Sequence, residues 1–267
     1  DRFVAIKQVA PHLAMDETYI ATLKENLRKI ARLGQRNEAI VTIHEVLDDP
    51  RGMFYIMEFV EGHTLETLIA ESPGPIEPKA ALLILFRLAA ALHDVHAEGI
   101  IHRDMKPGNI ILTEGLRPKI IDFGVAAVGG QDASMPLATT KYLAPELYSR
   151  PNADARADLY SLGFIAYEML LGREAFNRVF EDVVRDQHSA ALRWMKWHGN
   201  EAVSAPPLHE LNPAVPEALS QIVAKLIEKD PARRFADAEE LGRAIKANFS
   251  PRAKRTAAVH EMGHVDG

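Results

Sequence analysis

His102-Arg103-Asp104-Met105-Lys106-Pro107-Gly108-Asn109 stands between a long apolar run and a short hairpin pattern. Asp104 offers a carboxylate that can receive or orient a hydroxyl proton. Asn109 offers an amide oxygen to a hard cation. Phosphoryl transfer with Mg²⁺ asks a protein for these two services. On the amino-terminal side, Pro78 to Glu98 reads as a helix that stops at Gly99, a glycine placed just past a helix end. Its most apolar part, Ala80 to Leu92, is interrupted by Arg87 and is too short to span a bilayer, so it is expected to be a buried helix.

Downstream, Ile110 to Leu112 and Lys119 to Ile121 read as paired strands with a turn at Glu114-Gly115. A strand out and a strand back return the chain beside its start, which predicts Asp122 near Asn109. Asp122-Phe123-Gly124 then supplies a hard carboxylate, an apolar plug and a flexible glycine. Far upstream, Val4-Ala5-Ile6-Lys7 puts a lysine on a strand (Phe3 to Val9), where its ammonium can clamp phosphate oxygens as a point charge. A helix from about Glu17 to Leu33 is predicted from the spacing of Leu23, Leu27, Ile30 and Leu33. Strands follow at Ile40 to Leu47 and Met53 to Phe59, with Asp48 to Gly52 as their turn. Further helices are expected at Leu65 to Ala70, Asp158 to Leu171, Pro216 to Lys229 and Ala236 to Asn248.

The 267 residues suffice for one large domain or two tightly joined lobes. Hydrophobic residues make up 47% and charged residues 25%, ordinary values for a soluble globular chain. A net charge of -6 argues against a nucleic-acid surface, which needs a basic excess to neutralise phosphates. The absence of cysteine removes disulfides, thiolate metal sites and a cysteine nucleophile, and fits a reducing, cytoplasmic setting. No signal peptide opens the chain, and the absent initiator Met reads as a fragment.

Together and in this order, the motifs resemble those of the eukaryotic-type (Hanks-type) serine/threonine protein kinases, bacterial members included, from the strand lysine to about Asn248. The resemblance implies an α+β, two-lobed kinase fold. A small β-rich lobe with one helix (1–60) would sit over a larger, mainly helical lobe (61–249), followed by a tail (250–267). ATP and Mg²⁺ would occupy the cleft, and a protein hydroxyl would be the acceptor. Carried over residue by residue, Asp104 would be the catalytic base, Asn109 and Asp122 the magnesium ligands, and Lys7 the α/β-phosphate contact. Lys106 matches the serine/threonine-type signature and would neutralise the γ-phosphate. Met57, Glu58 and Val60 would line the adenine-binding segment, with Ala5 and Ile111 on either face of the ring.

Thr139-Thr140-Lys141-Tyr142-Leu143-Ala144-Pro145-Glu146 resembles the end of a kinase activation segment, Thr139 being the hydroxyl that would bond Asp104 and Lys106. Ala138 and Thr140 stand where Gly and Pro are commoner. The same resemblance pairs Glu146 with Arg234 and places Asp158 and Gly163 on a central helix that anchors the catalytic loop. Ser134, Thr139 and Thr140 are the candidate phosphorylation sites of the segment, with Arg103 as receiver.

Two departures stand out. The family's glycine-rich loop would precede residue 1, and a chain truly starting there would hold ATP poorly. The helix glutamate that should pair with the strand lysine is replaced: aligning Leu23, Ile30 and Leu33 puts Asn26 in its slot, while Glu25 is rotated away by about 100°. That substitution motivates a pseudokinase scaffold as the rival reading. A kinase-like phosphotransferase for small molecules is a second rival, which the Thr139 to Glu146 segment disfavours.

Singly, these residues have plainer readings. His102 reads as a packed core histidine; Asp104, Asn109 and Asp122 could each be turn or cap residues, and Lys7 an exposed strand lysine. Their joint spacing is what favours an ATP and Mg²⁺ site. His260-Glu261-Met262-Gly263-His264 matches a zincin pattern, but that chemistry needs a third ligand and a substrate cleft, and a solvated helix end or tail is the preferred reading. Arg178 to His198 carries Phe180, Trp194, Met195 and Trp197. It reads as a possible docking surface or, preferably, as rings packed onto the large lobe.

Overall fold

Alternation along Val4–Gln8 (β1) turns Ala5 and Lys7 to one face and Val4, Ile6 and Gln8 to the solvent side. This is the period-two signature of a half-covered sheet. In the computed structural model, which describes residues 3–123, 140–149, 153–186 and 188–249, β1 pairs with β3 (Gly52–Glu58), and β3 pairs with β2 (Ile43–Asp49). Both pairings are antiparallel. The register sets Lys7 opposite Tyr55 and Ala5 opposite Met57.

A short helix α1 (Pro11–Ala14), which the sequence pattern does not announce, leads into α2 (Glu17–Gly34). Asp16 caps α2 by accepting from Thr18 N and Tyr19 N at 2.9 and 3.0 Å. Leu23, Leu27, Ile30 and Leu33 are its buried stripe, as their spacing predicts.

The expected strand from Ile40 is corrected. β2 begins at Ile43, because Ile40 and Val41 are drawn off to the other lobe. Ile40 bridges Ile120 in parallel, with Val41 N donating to Ile120 O and Ile120 N to Ala39 O, each at 2.9 Å. The expected five-residue turn is also shorter, since Asp48 and Asp49 remain in the ladder opposite Met53 and Gly52.

β4 (His63–Thr64), β5 (Ile110–Thr113) and β6 (Arg117–Ile120) form a second antiparallel sheet. The β5–β6 connection runs through Glu114, Gly115 and Leu116, one residue more than expected, with φ of 72° at Gly115 and 54° at Leu116. Next to this sheet lie α3 (Leu65–Glu71) and α4 (Pro78–Ala97). At 20 residues α4 is longer than its apolar centre and, by length and composition alone, would suit a membrane. Its buried side chains, among them Ile84, Leu85, Leu88, Leu92 and Val95, instead form the core of the helical lobe.

That core is completed by α5 (Glu146–Ser149), α6 (Arg156–Leu171), α7 (Arg173–Val179), α8 (Glu181–Val184), α9 (Ala190–Gly199), α10 (Leu208–Leu211), α11 (Glu217–Leu226) and α12 (Ala238–Phe249). From Ala157 onward α6 is buried on all sides, as a central helix should be. A Cβ at Gly163 would stand 2.6 Å from Leu226 Cβ, so this glycine is what lets α6 and α11 approach.

The rings of Arg178 to His198 fill this lobe. Phe180 and Trp194 are buried against Phe164 and Phe176 at centroid distances of 4.7–6.1 Å. For these two rings the preferred packing reading holds and the docking alternative does not, because burying them removes more apolar area from water than leaving them on the surface. Leu192 and Met195 stay exposed.

Candidate active site

The loop after α4 is held from below by one carboxylate. Asp158, near the start of α6 and fully buried, accepts from His102 N, Arg103 N and His96 Nε2, each at 2.8 Å. Burial by itself would raise its pKa; the hydrogen bond and charge of His96 and the His102 contacts outweigh that and hold it below the usual carboxylate value. The grip sustains a left-handed backbone at Arg103 (φ 62°), a conformation rare for a residue with a side chain. His102 is buried, and burial lowers its pKa so that the ring stays neutral; it packs on Phe123 at a centroid distance of 5.1 Å. It is the core histidine its setting in the sequence indicates.

Above this base, Asp104 meets two partners. Lys106 Nζ donates to its Oδ2 at 2.8 Å, and Asn109 Nδ2 donates to its backbone O at 2.8 Å and to Oδ2 at 3.1 Å. Asp104 Oδ1 is buried and, among the described residues, accepts from none. Asn109 is buried; its amide N–H groups are turned to Asp104, which leaves the amide oxygen as the atom that would meet a cation. Ile121 N donates to Asn109 O at 3.0 Å, so the hairpin does carry Asp122 back to Asn109.

The small lobe reaches the same place. Lys7 Nζ forms an ion pair with Asp122 Oδ2, and the Tyr55 hydroxyl lies 3.4 Å from Asp122 Oδ1. Met57 packs against the core at the end of β3, opposite Ala5, with Val60 in the segment that leaves the strand. Glu58 turns its carboxylate to the lobe junction, accepting from Thr42 N at 2.7 Å and from Lys119 Nζ at 2.8 Å. Its pKa is lowered: burial pushes up, but the Lys119 and Thr42 hydrogen bonds prevail. Ile111 lies on β5 opposite Lys119 and Thr64. Glu25 is exposed and pairs with Lys29 at 3.3 Å on its own helix, whereas Asn26 is half-buried. Gly124, Ser134, Ala138, Thr139 and the tail with His260 to His264 lie outside the described residues.

Beyond the site, Arg234 and Glu146 form a buried two-pronged ion pair at 2.6 and 2.9 Å, the pairing the sequence resemblance implies. Sequence reasoning missed a neighbouring network. Lys141 donates to Glu168 Oε1 at 2.6 Å and Tyr142 to Oε2 at 2.5 Å, while buried His198 accepts from the Tyr160 hydroxyl at 2.7 Å and donates to Lys141 O at 3.1 Å. Lys141, two after Thr139 and next to Tyr142-Leu143-Ala144, was the available signal: a lysine drawn into the core with the apolar residues that follow it needs a carboxylate. Two surface cavities, of about 470 and 520 Å³, meet around Lys229 and Asp230 in the helical lobe, away from Asp104 and Asp122.

The donor chemistry fits Mg²⁺ with a nucleotide. Asn109 and Asp122 are hard oxygen donors, and among the described residues no group of three or more His, Cys, Asp or Glu gathers into an all-protein cage. Mg²⁺ is characteristically held by one or two such side chains together with phosphate oxygens and water.

Residues 1–244 match the model of the protein kinase domain. The chain is 31% identical over 272 aligned residues to the serine/threonine-protein kinase PknL of Mycobacterium tuberculosis, covering 97% of this chain and 64% of that protein. It is 32% identical to the probable serine/threonine-protein kinase PknB of Lactococcus lactis and 32% identical to the serine/threonine-protein kinase PrkC of Bacillus subtilis. These matches cover 90% and 93% of this chain, and 37% of each relative. The chain thus spans between about a third and two thirds of the length of these relatives.

Proposed function

Because the chain belongs to the protein kinase domain family, we propose that it is a serine/threonine protein kinase, moving the γ-phosphate of ATP to hydroxyls of a protein substrate with Mg²⁺. The observation that carries this reading is the meeting of Lys7 and Asp122 from opposite lobes beside a loop that presents Asp104, Lys106 and Asn109.

In this role Asp104 receives the proton of the attacking hydroxyl through Oδ1, which has no partner among the described residues, while Lys106 and Asn109 fix the carboxylate by its other oxygen. Lys106, already beside Asp104, sits where charge builds on the transferring phosphoryl group. Mg²⁺ held by Asn109 and Asp122 would neutralise phosphate charge. Lys7 would add an ammonium on the other side, with Ala5, Met57, Glu58, Val60 and Ile111 lining the adenine end. Thr139 would help seat the substrate hydroxyl. The segment from Thr140 to Glu146, anchored through Glu168 and Arg234, supports a protein acceptor over a small molecule. A cytoplasmic setting follows from the need for ATP.

Transfer of radiolabel from ATP to a generic protein substrate by the full-length protein tests this. We expect Mg²⁺-dependent incorporation on Ser or Thr that falls about a hundredfold or more in Asp104→Asn. Equal incorporation by the two proteins would remove Asp104 from its role. Asn26 motivates a pseudokinase as the second reading, for which the parent would bind nucleotide and transfer nothing.

A further inference from the structure

Lys7 and Tyr55 are cross-strand partners on β1 and β3, so the sheet holds an ammonium and a phenol side by side. Both are aimed at one carboxylate. Lys7 takes Asp122 Oδ2, and the Tyr55 hydroxyl faces Oδ1 at 3.4 Å. At that length the hydrogen bond is weak, and its effect is on orientation. A carboxylate met at each oxygen from one side loses rotation about its last torsion, yet each oxygen keeps a second lone pair for another partner. Tyr55 is only 5% exposed, so its ring cannot swing away without opening the core. A second tyrosine, Tyr19 on α2, lies close enough to Asp122 that the carboxylate's charge adds to burial in raising the phenol's pKa. The helix position expected to face Lys7 with a carboxylate holds Asn26, and Glu25 is spent on Lys29 at the surface.

We propose that Tyr55 is a positioning residue for Asp122: in a site whose helix offers no carboxylate to Lys7, its hydroxyl keeps the Asp122 carboxylate turned for magnesium-dependent nucleotide binding. This rests on the kinase reading above, and it predicts a role for a hydroxyl rather than for a ring.

The test is calorimetric titration of full-length protein and its Tyr55→Phe variant with the non-hydrolysable analogue adenylyl imidodiphosphate, with Mg²⁺ and with EDTA. Phe keeps the ring and removes the hydroxyl. The affinity gained on adding Mg²⁺ should fall about three- to tenfold in Tyr55→Phe, the worth of one modest hydrogen bond, while affinity in EDTA stays as in the parent. An unchanged Mg²⁺ gain would overturn the proposal, and so would an equal loss in both media, which marks a merely structural ring. Combining Tyr55→Phe with Asp122→Asn supplies a second arm, in which the Tyr55 effect should vanish; additive losses would show that the hydroxyl does not act through Asp122. A parent with no Mg²⁺-dependent nucleotide binding would sink the kinase reading itself, and this inference with it.

Discussion

Asp158→Asn changes one atom in the floor of the loop that carries Asp104. The carboxylate accepts three hydrogen bonds at 2.8 Å, Oδ1 from Arg103 N and Oδ2 from His102 N and His96 Nε2, with no water access. An asparagine can keep its oxygen toward His102 and His96, but its amide N–H groups then confront the Arg103 N–H. One charge-assisted bond worth about 1.5–3 kcal/mol is lost, and a buried donor left unsatisfied costs about 1–3 kcal/mol. The expected destabilisation is therefore about 2.5–6 kcal/mol, or a fall in Tm of about 5–24 °C for a domain of this size. Arg103 then has nothing to hold its left-handed backbone, whose strain is about 1–3 kcal/mol, so the loop should relax locally and carry Asp104 with it. A displacement of about 1 Å can cost about a hundredfold in rate. Urea unfolding and radiolabelled transfer, both at a temperature where the variant remains folded, measure the two consequences. Stability within about 1 kcal/mol of the parent together with full transfer would refute the argument that Asp158 sets the loop.

Glu146→Gln should destabilise by about 3–5 kcal/mol, because Arg234 would keep its charge in a buried site with no carboxylate among the described residues paired to it, leaving the Tyr160 ring and neutral carbonyl oxygens, among them those of Arg156, Glu228 and Lys229. Chemical denaturation reads this directly, and a change below about 1 kcal/mol would show that the pair is solvated. His198 carries a pH dependence. Burial lowers its pKa to about 3, below the ordinary value near 6.5, so the neutral ring stabilises the fold fully above about pH 6.5 and loses that contribution as pH falls toward 3. The slope is about 1.4 kcal/mol per pH unit, or about 2 kcal/mol between pH 7 and 5. His198→Gln can still accept from Tyr160 and donate to Lys141 O, and it should flatten that slope in urea titrations; an unaltered slope would assign the titration to another group, such as His102. Asn26→Glu should raise ATP affinity or transfer, whereas Glu25→Ala should change either by little, since Glu25 makes only a surface pair. A loss in Glu25→Ala as large as that in Lys7→Ala would show that α2 is aligned wrongly on its glutamate slot.

Local chemistry was enough to place much of this molecule. The spacing of Leu23, Leu27, Ile30 and Leu33 specifies α2, because a helix repeats every 3.6 residues wherever it is put. Gly99 after α4 has φ of 73°, the conformation a helix-ending glycine is suited to. The hairpin between Asn109 and Asp122 could be closed on paper, since an antiparallel pair returns to its origin by geometry alone. Asp104, Asn109, Asp122 and Lys7 could be singled out by their joint order and spacing, and Lys106 by the kinase motif this stretch resembles, whereas singly each reads as a turn, cap or exposed residue.

Partner choice was beyond such reasoning, since it is settled by which surfaces meet. Ile40 and Val41 have the composition of a strand continuing into β2, yet they bond to β6, because the backbone groups of Ile120 need partners and the two lobes meet there. Arg103 shows nothing in its own chemistry that predicts a positive φ; Asp158, on a helix far along the chain, imposes it. Phe180 and Trp194 are favoured for a core by their size, but which rings they would meet was not written in their own stretch of chain; the space around Phe164 decided it. Tyr55 could be known as a strand residue, but its place beside Lys7 depends on the register of β1 against β3, which is fixed only when both strands bury the same face.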